Sequence, residues 1–97
     1  MDFSIKNPGG SIINVCRDIG YIFQRQVSEN EVSFTRPLNR GGYPRFHIYL
    51  KANDEDLLFS LHIDQKRPVY KEAHDHAAEY DGAVVENEVQ RIKQALS

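Results

Sequence analysis

Ninety-seven residues, 40% hydrophobic and 27% charged, suit one compact domain with a core of its own and exclude a disordered tail. A net charge of −2 argues against non-specific binding to duplex nucleic acid, which requires many phosphates to be neutralised. No apolar run approaches a membrane span, and Cys16 is the sole cysteine, so an internal disulfide is excluded.

The first segment, Met1-Asp-Phe-Ser-Ile-Lys6, lacks the basic-then-apolar pattern of a signal peptide, so the expected location is a bacterial-style cytoplasm. Asn7-Pro-Gly-Gly10 reads as a turn, and Ser11 is a good N-cap for the segment after it. Ile12, Val15, Cys16 and Ile19 recur at helical spacing, and Gly20 is placed to end that helix. Residues 21–36 read as a β-hairpin around Ser28-Glu-Asn30, with Val32 and Phe34 alternating against Glu31, Ser33 and Thr35. Pro37 to Pro44 is a loop containing Gly41-Gly42.

Two strands with clean period-2 patterns follow. In the first, Phe46, Ile48 and Leu50 face one way and Arg45, His47, Tyr49 and Lys51 the other. In the second, Leu57, Phe59, Leu61 and Ile63 face inward, leaving Leu58, Ser60, His62 and Asp64 outward. Asn53-Asp-Glu-Asp56 is the natural hairpin loop between them. That loop opposes Phe46 to Ile63, Ile48 to Leu61 and Leu50 to Phe59. On the outer face it sets His47 against His62, Arg45 against Asp64 and Tyr49 against Ser60, each pair within roughly 5.5 Å. A slip of two residues would keep the apolar matching but part the histidines.

Residues 65–80 show no periodicity. The final helix begins with Asp81 as its cap and carries Glu86 and Glu88 in its first half and Arg91 and Lys93 in its last. Val85, Val89, Ile92 and Leu96 form its apolar stripe, with Tyr80 stapled back onto Val85. The expected fold is therefore a single α+β domain over 1–97. Its mostly antiparallel four-stranded sheet carries two helices on one face, in the order α-β-β-β-β-α.

Chemistry concentrates where three of the four histidines fall within 15 residues, from His62 to His76. His62 and Asp64, two apart on a strand, project from one face, and His47 stands opposite. His76, His74 or Glu79 would come from the loop beyond. His47, His62, Asp64, His76 and Glu79 thus form a candidate ligand set for zinc or another divalent metal, and an open coordination position would activate water in a metal-dependent hydrolase or nuclease. The same residues suit acid–base work, with Asp64 orienting His47 or His62, Ser60 and Tyr49 nearby, and Lys66 or Arg67 stabilising an anion. They equally suit a polar face knitted by hydrogen bonds, with Asp64 simply pairing with Arg45.

Charge is segregated along the chain. Arg36, Arg40, Arg45 and Lys51 lie in a stretch without acids, whereas Glu72 to Glu88 carries six acids without Lys or Arg. Arginines interleaved with Tyr43 and Tyr49 beside a Gly-Gly loop suit a single-stranded RNA-binding module. The leading expectation is a small binding or accessory protein using the exposed sheet face and the 65–80 loop. Its surface would comprise Arg40, Arg45, His47, Tyr49, His62, Asp64, Lys66, Arg67 and His76. The expected partner is another protein or a short single-stranded nucleic acid, and not a membrane.

The helix followed by Gly20-Tyr-Ile-Phe-Gln-Arg-Gln26 resembles mRNA-interferase toxins with a double-stranded-RNA-binding-like fold, over about a quarter of the chain. In those toxins the catalytic histidine follows a Gly-Ser pair in the next strand. Here Val27-Ser-Glu-Asn30 has no histidine and His47 comes much later, so the activity does not transfer. The stretches Gly42-Tyr-Pro-Arg-Phe-His-Ile-Tyr-Leu-Lys51, Leu61-His-Ile-Asp-Gln-Lys-Arg-Pro-Val-Tyr70 and Glu79-Tyr-Asp-Gly82 resemble a group of small uncharacterised bacterial proteins. That resemblance covers most of the chain and implies no activity, cofactor or binding residue.

Overall fold

Asp2-Phe-Ser-Ile-Lys6 alternates polar and apolar side chains, the signature of a half-buried strand, and forms β1 (Asp2–Lys6). The computed structural model describes residues 1–65 and 82–97. Within these, β1 is followed by α1 (Ile12–Asp18), β2 (Ile22–Gln26), β3 (Glu31–Pro37), β4 (Arg45–Ala52), β5 (Asp56–Asp64) and α2 (Ala83–Leu96). The α+β class and antiparallel sheet agree with the sequence, but the sheet has five strands rather than four. The order is β-α-β-β-β-β-α. The alternation of β1 runs for only five residues, too few for periodicity alone to mark a strand ahead of the first helix.

The strands are ordered β1-β5-β4-β3-β2, all neighbours antiparallel. Consecutive hairpins build β2 through β5, and the chain's first strand then closes the far edge by pairing with its last. The β4–β5 register opposes Phe46 to Ile63, His47 to His62, Tyr49 to Ser60 and Arg45 to Asp64, as the loop length requires. Asn53 fixes that loop, since its side-chain oxygen accepts from the N–H groups of Glu55 and Asp56 at 2.9 and 2.7 Å. Asn7 ties β1 to the same turn by donating its side-chain amide to the Asn53 carbonyl at 2.8 Å.

One face of the sheet carries the core. Phe34, Phe46, Ile48, Leu50, Leu57, Phe59 and Leu61 join Cys16 and Ile19 of the α1 region and Val85, Val89 and Ile92 of α2 in one buried cluster. Each fully buried Leu, Ile or Phe contributes about 1.5–3 kcal/mol, so this cluster is the main source of stability. Ser11 caps α1 by accepting from the Asn14 N–H, and Gly20, at φ +95, turns the chain from the helix into the sheet. A side chain at Gly20 would be strained in that conformation and would meet Arg36.

One sequence expectation changes here: Tyr21 lies before β2 rather than in it and is buried. Glu88, in the first half of α2, is 4% exposed and accepts from Tyr21 Oη at 2.6 Å and from Arg91 Nε and Nη2 at 2.7 and 2.8 Å. Arg91 also donates to the Ile19 carbonyl at 2.7 Å, so one ion-pair network bolts α2 to the end of α1. The Asp81 cap and the Tyr80 staple lie outside the described residues, and Gly82 occupies the N-cap of α2.

Candidate functional site

The side chains that alternate away from the core form a polar face. β3 supplies Glu31, Ser33 and Thr35; β4 supplies Arg45, His47, Tyr49 and Lys51; β5 supplies Leu58, Ser60, His62 and Asp64. Strand register sets their neighbours. His47 lies directly opposite His62 on one side and Thr35 on the other, which places Ser33 and Asp64 at its diagonal positions.

His47 reaches both diagonals. Its Nδ1 lies 2.8 Å from Asp64 Oδ2, and its Nε2 lies 2.7 Å from Ser33 Oγ. The second Asp64 oxygen, Oδ1, lies 2.8 Å from His62 Nε2, and Arg45 Nε donates to Oδ2 at 3.2 Å. One carboxylate therefore gathers two imidazoles and a guanidinium. Above them Tyr49 packs its ring 4.6 Å from that of His47 and 5.8 Å from that of His62. Arg45 also lies over the Tyr43 ring, at 4.8 Å.

The middle of this face is buried and its flank is open. His47 is 8% exposed and Ser33 is wholly buried, while the His62 side chain keeps 42% of its surface. Burial holds the His47 imidazole below its ordinary value, despite the opposing pull of Asp64. Burial also pushes the Asp64 carboxyl up, but hydrogen bonds and charge from His47, His62 and Arg45 outweigh it and leave Asp64 below the usual carboxylate range. A neutral imidazole has one N–H, and an ionised carboxylate only accepts. His47 therefore donates from Nδ1 to Asp64, and its Nε2 accepts the Ser33 hydroxyl.

Hydroxyl, imidazole and carboxylate in this order make a proton relay of the kind used to activate nucleophilic serines. Ser33, however, is fully buried in the middle of β3, so its hydroxyl is not presented to a substrate. The relay supports His47 from behind. What faces outward is a cluster of potential ligands: one donor atom each from His47, His62 and Asp64, all within 4.8 Å of one another.

Of the residues singled out in the sequence, Arg45, His47, Tyr49, His62 and Asp64 come together. Arg40 is exposed in the β3–β4 connection and takes no part in the hydrogen bonds of the cluster. Lys66, Arg67, His74, His76 and Glu79 lie outside the described residues. Ser60, considered as a partner for the histidines, instead helps line a shallow groove with Ser4, Tyr49, Lys51 and Leu58. The basic stretch does not form one stripe. Arg36 turns to the core side, 3.4 Å from Glu88, whereas Arg45 is paired with Asp64 on the opposite face.

Ser33 is the member of the site that sequence reasoning missed. Its alternation with Val32 and Phe34 marks it as polar-face, and that signal is readable. Its contact with His47 depends on the β3–β4 register, which a connection of seven residues, 38–44, leaves open. Comparisons of the chain with family models, with curated proteins and with solved structures found no match.

Proposed function

We propose that this protein is a small binding module whose ligand is a divalent transition-metal ion held by His47, His62 and Asp64. The observation that carries the reading is the convergence of two imidazole nitrogens and a carboxylate oxygen within 4.8 Å on two adjacent strands. Two histidines and one carboxylate are a recurrent donor set for first-row ions, and imidazole selects these over magnesium or calcium.

The residues fit such an ion with a small adjustment. Donors bound to one ion at 2.0–2.1 Å sit roughly 3–3.4 Å apart, so the cluster must close slightly. His62, with 42% of its side chain exposed, is free to make that movement, while His47 is anchored. Asp64 is already ionised and needs no deprotonation to serve as ligand. The Asp64 carboxylate already lies between the two imidazoles, with one oxygen 2.8 Å from His47 Nδ1 and the other 2.8 Å from His62 Nε2. Three protein donors would leave coordination positions for water, which is the chemistry a hydrolytic role would require.

Calorimetric titration of tag-free protein with zinc, together with cobalt(II) absorption spectra, tests the reading. One equivalent of zinc should bind, and His62→Ala should weaken that binding by at least about 100-fold without unfolding the chain. Wild-type protein that takes up neither ion would refute it, as would a His62→Ala variant that binds like wild type.

A further inference from the structure

We infer that Ser33 is the positioning residue of this metal site: its hydroxyl holds His47 in place from behind and allows the ring to exchange one tautomer for the other when an ion arrives. The inference rests on the metal reading above and deepens it. His47 and His62 are not equivalent ligands. The His62 side chain is 42% exposed, whereas that of His47 is 10% exposed and bonded at both nitrogens. His47 is thus the arm around which the site is built, and its orientation depends on what grips Nε2.

The grip has a particular chemical requirement. Without metal, the Nδ1 proton of His47 is directed at Asp64 Oδ2, and Nε2 presents a lone pair to Ser33. A metal at the cluster needs the Nδ1 lone pair, because Nε2 is turned away towards Ser33. Binding therefore removes the proton from Nδ1 to solvent and places one from solvent on Nε2, and the ring remains neutral. Ser33 Oγ must then change from donor to acceptor.

A backbone carbonyl in this place would suit only the metal-bound tautomer, and a backbone N–H only the metal-free one. A hydroxyl suits both, through rotation about a single C–O bond. The structure also supplies a destination for the released hydroxyl proton, since Gln24 Oε1 lies 3.4 Å from Ser33 Oγ. Gln24 is placed there by the irregularity in β2 between Phe23 and Arg25, where the strand register shifts. Gln24, Ser33, His47 and Asp64 then form one chain of hydrogen bonds across four strands, with Ser33 as the reversible link.

Imidazole ¹⁵N NMR of the full chain, without and with one equivalent of zinc, reads the tautomer directly. His47 should carry its proton on Nδ1 in the metal-free protein and on Nε2 in the zinc-loaded protein. Ser33→Ala should weaken zinc binding by about 10- to 100-fold, and Ser33→Thr, which keeps the hydroxyl, should restore most of it. The same His47 tautomer in both states overturns the inference, even if Ser33→Ala fails to fold. Wild-type zinc affinity in a folded Ser33→Ala protein also overturns it, while leaving the metal site standing. Failure of wild-type protein to bind zinc overturns both.

Discussion

At the scale of single residues, the half-buried carboxylate Asp64 and the buried carboxylate Glu88 do different work. Asp64 gathers two imidazoles and the Arg45 guanidinium at a surface where the His62 ring remains accessible. Glu88 is enclosed, with a side chain 3% exposed, and its partners come from the α1–β2 junction, β3 and α2. Burial raises the Glu88 carboxyl, but hydrogen bonds from Arg91 and Tyr21 prevail and hold it below its ordinary value of 4.5. Such a group contributes its full stability above that ordinary value, and the contribution is lost as pH falls through the lower folded value. Glu88→Gln should therefore cost about 2–3 kcal/mol at neutral pH, because the charged partners lose their counter-ion. Urea unfolding of both proteins should show a gap that is level from about pH 7 to 5.5 and narrows below about pH 4.5. A gap that persists unchanged in strong acid would mean that the charge of Glu88 contributes nothing. Cys16 is inert by comparison, since burial pushes its thiol up to about 12.

Among the elements, β1 has the largest consequence for its length. Its pairing covers the edge of β5 that would otherwise be left open beside the candidate site, with Phe3 opposite Phe59 and Ile5 opposite Leu57. Phe3 stacks on Phe59 with ring centroids 4.8 Å apart. Phe3→Ala should lower stability by about 2–3 kcal/mol, whereas Ser4→Ala on the opposite face of the same strand should change it by less than about 0.5 kcal/mol. Chemical denaturation of the two variants checks this, and equal effects would show that β1 does not contribute to the core. The β4–β5 hairpin was legible because a short loop and two strict alternations leave few registers. β1 was less so, because five residues of alternation preceding a Pro-Gly-Gly turn are easily read as a tail.

For the whole molecule, the sheet's two faces decide what the charge pattern means. Along the chain, Arg36, Arg40, Arg45 and Lys51 make a basic stretch; in space they divide between the core side, a loop and the polar face. Arg36 and Arg45 are each already paired with a carboxylate. Short single-stranded RNA should therefore bind no tighter than about 100 μM at physiological salt, by fluorescence anisotropy. Micromolar, salt-sensitive binding that is lost in Arg40→Ala and Arg45→Ala would restore the RNA-binding reading. No helix among the described residues is long and apolar enough to cross a membrane.

The sequence by itself determined the α+β class, both helices and the two central strands, because local alternation is sufficient for each; it offered the facing of His47 to His62 as one register of two, and the β4–β5 pairing selected it. It also marked His47, His62 and Asp64, together with His76 and Glu79, as a candidate ligand set. Only the tertiary structure decided that β1 completes the sheet, that Glu88 is a buried anchor and that Ser33 stands behind His47. Each of these depends on which distant segment a strand or helix packs against, and neither periodicity nor composition encodes that choice over long connections.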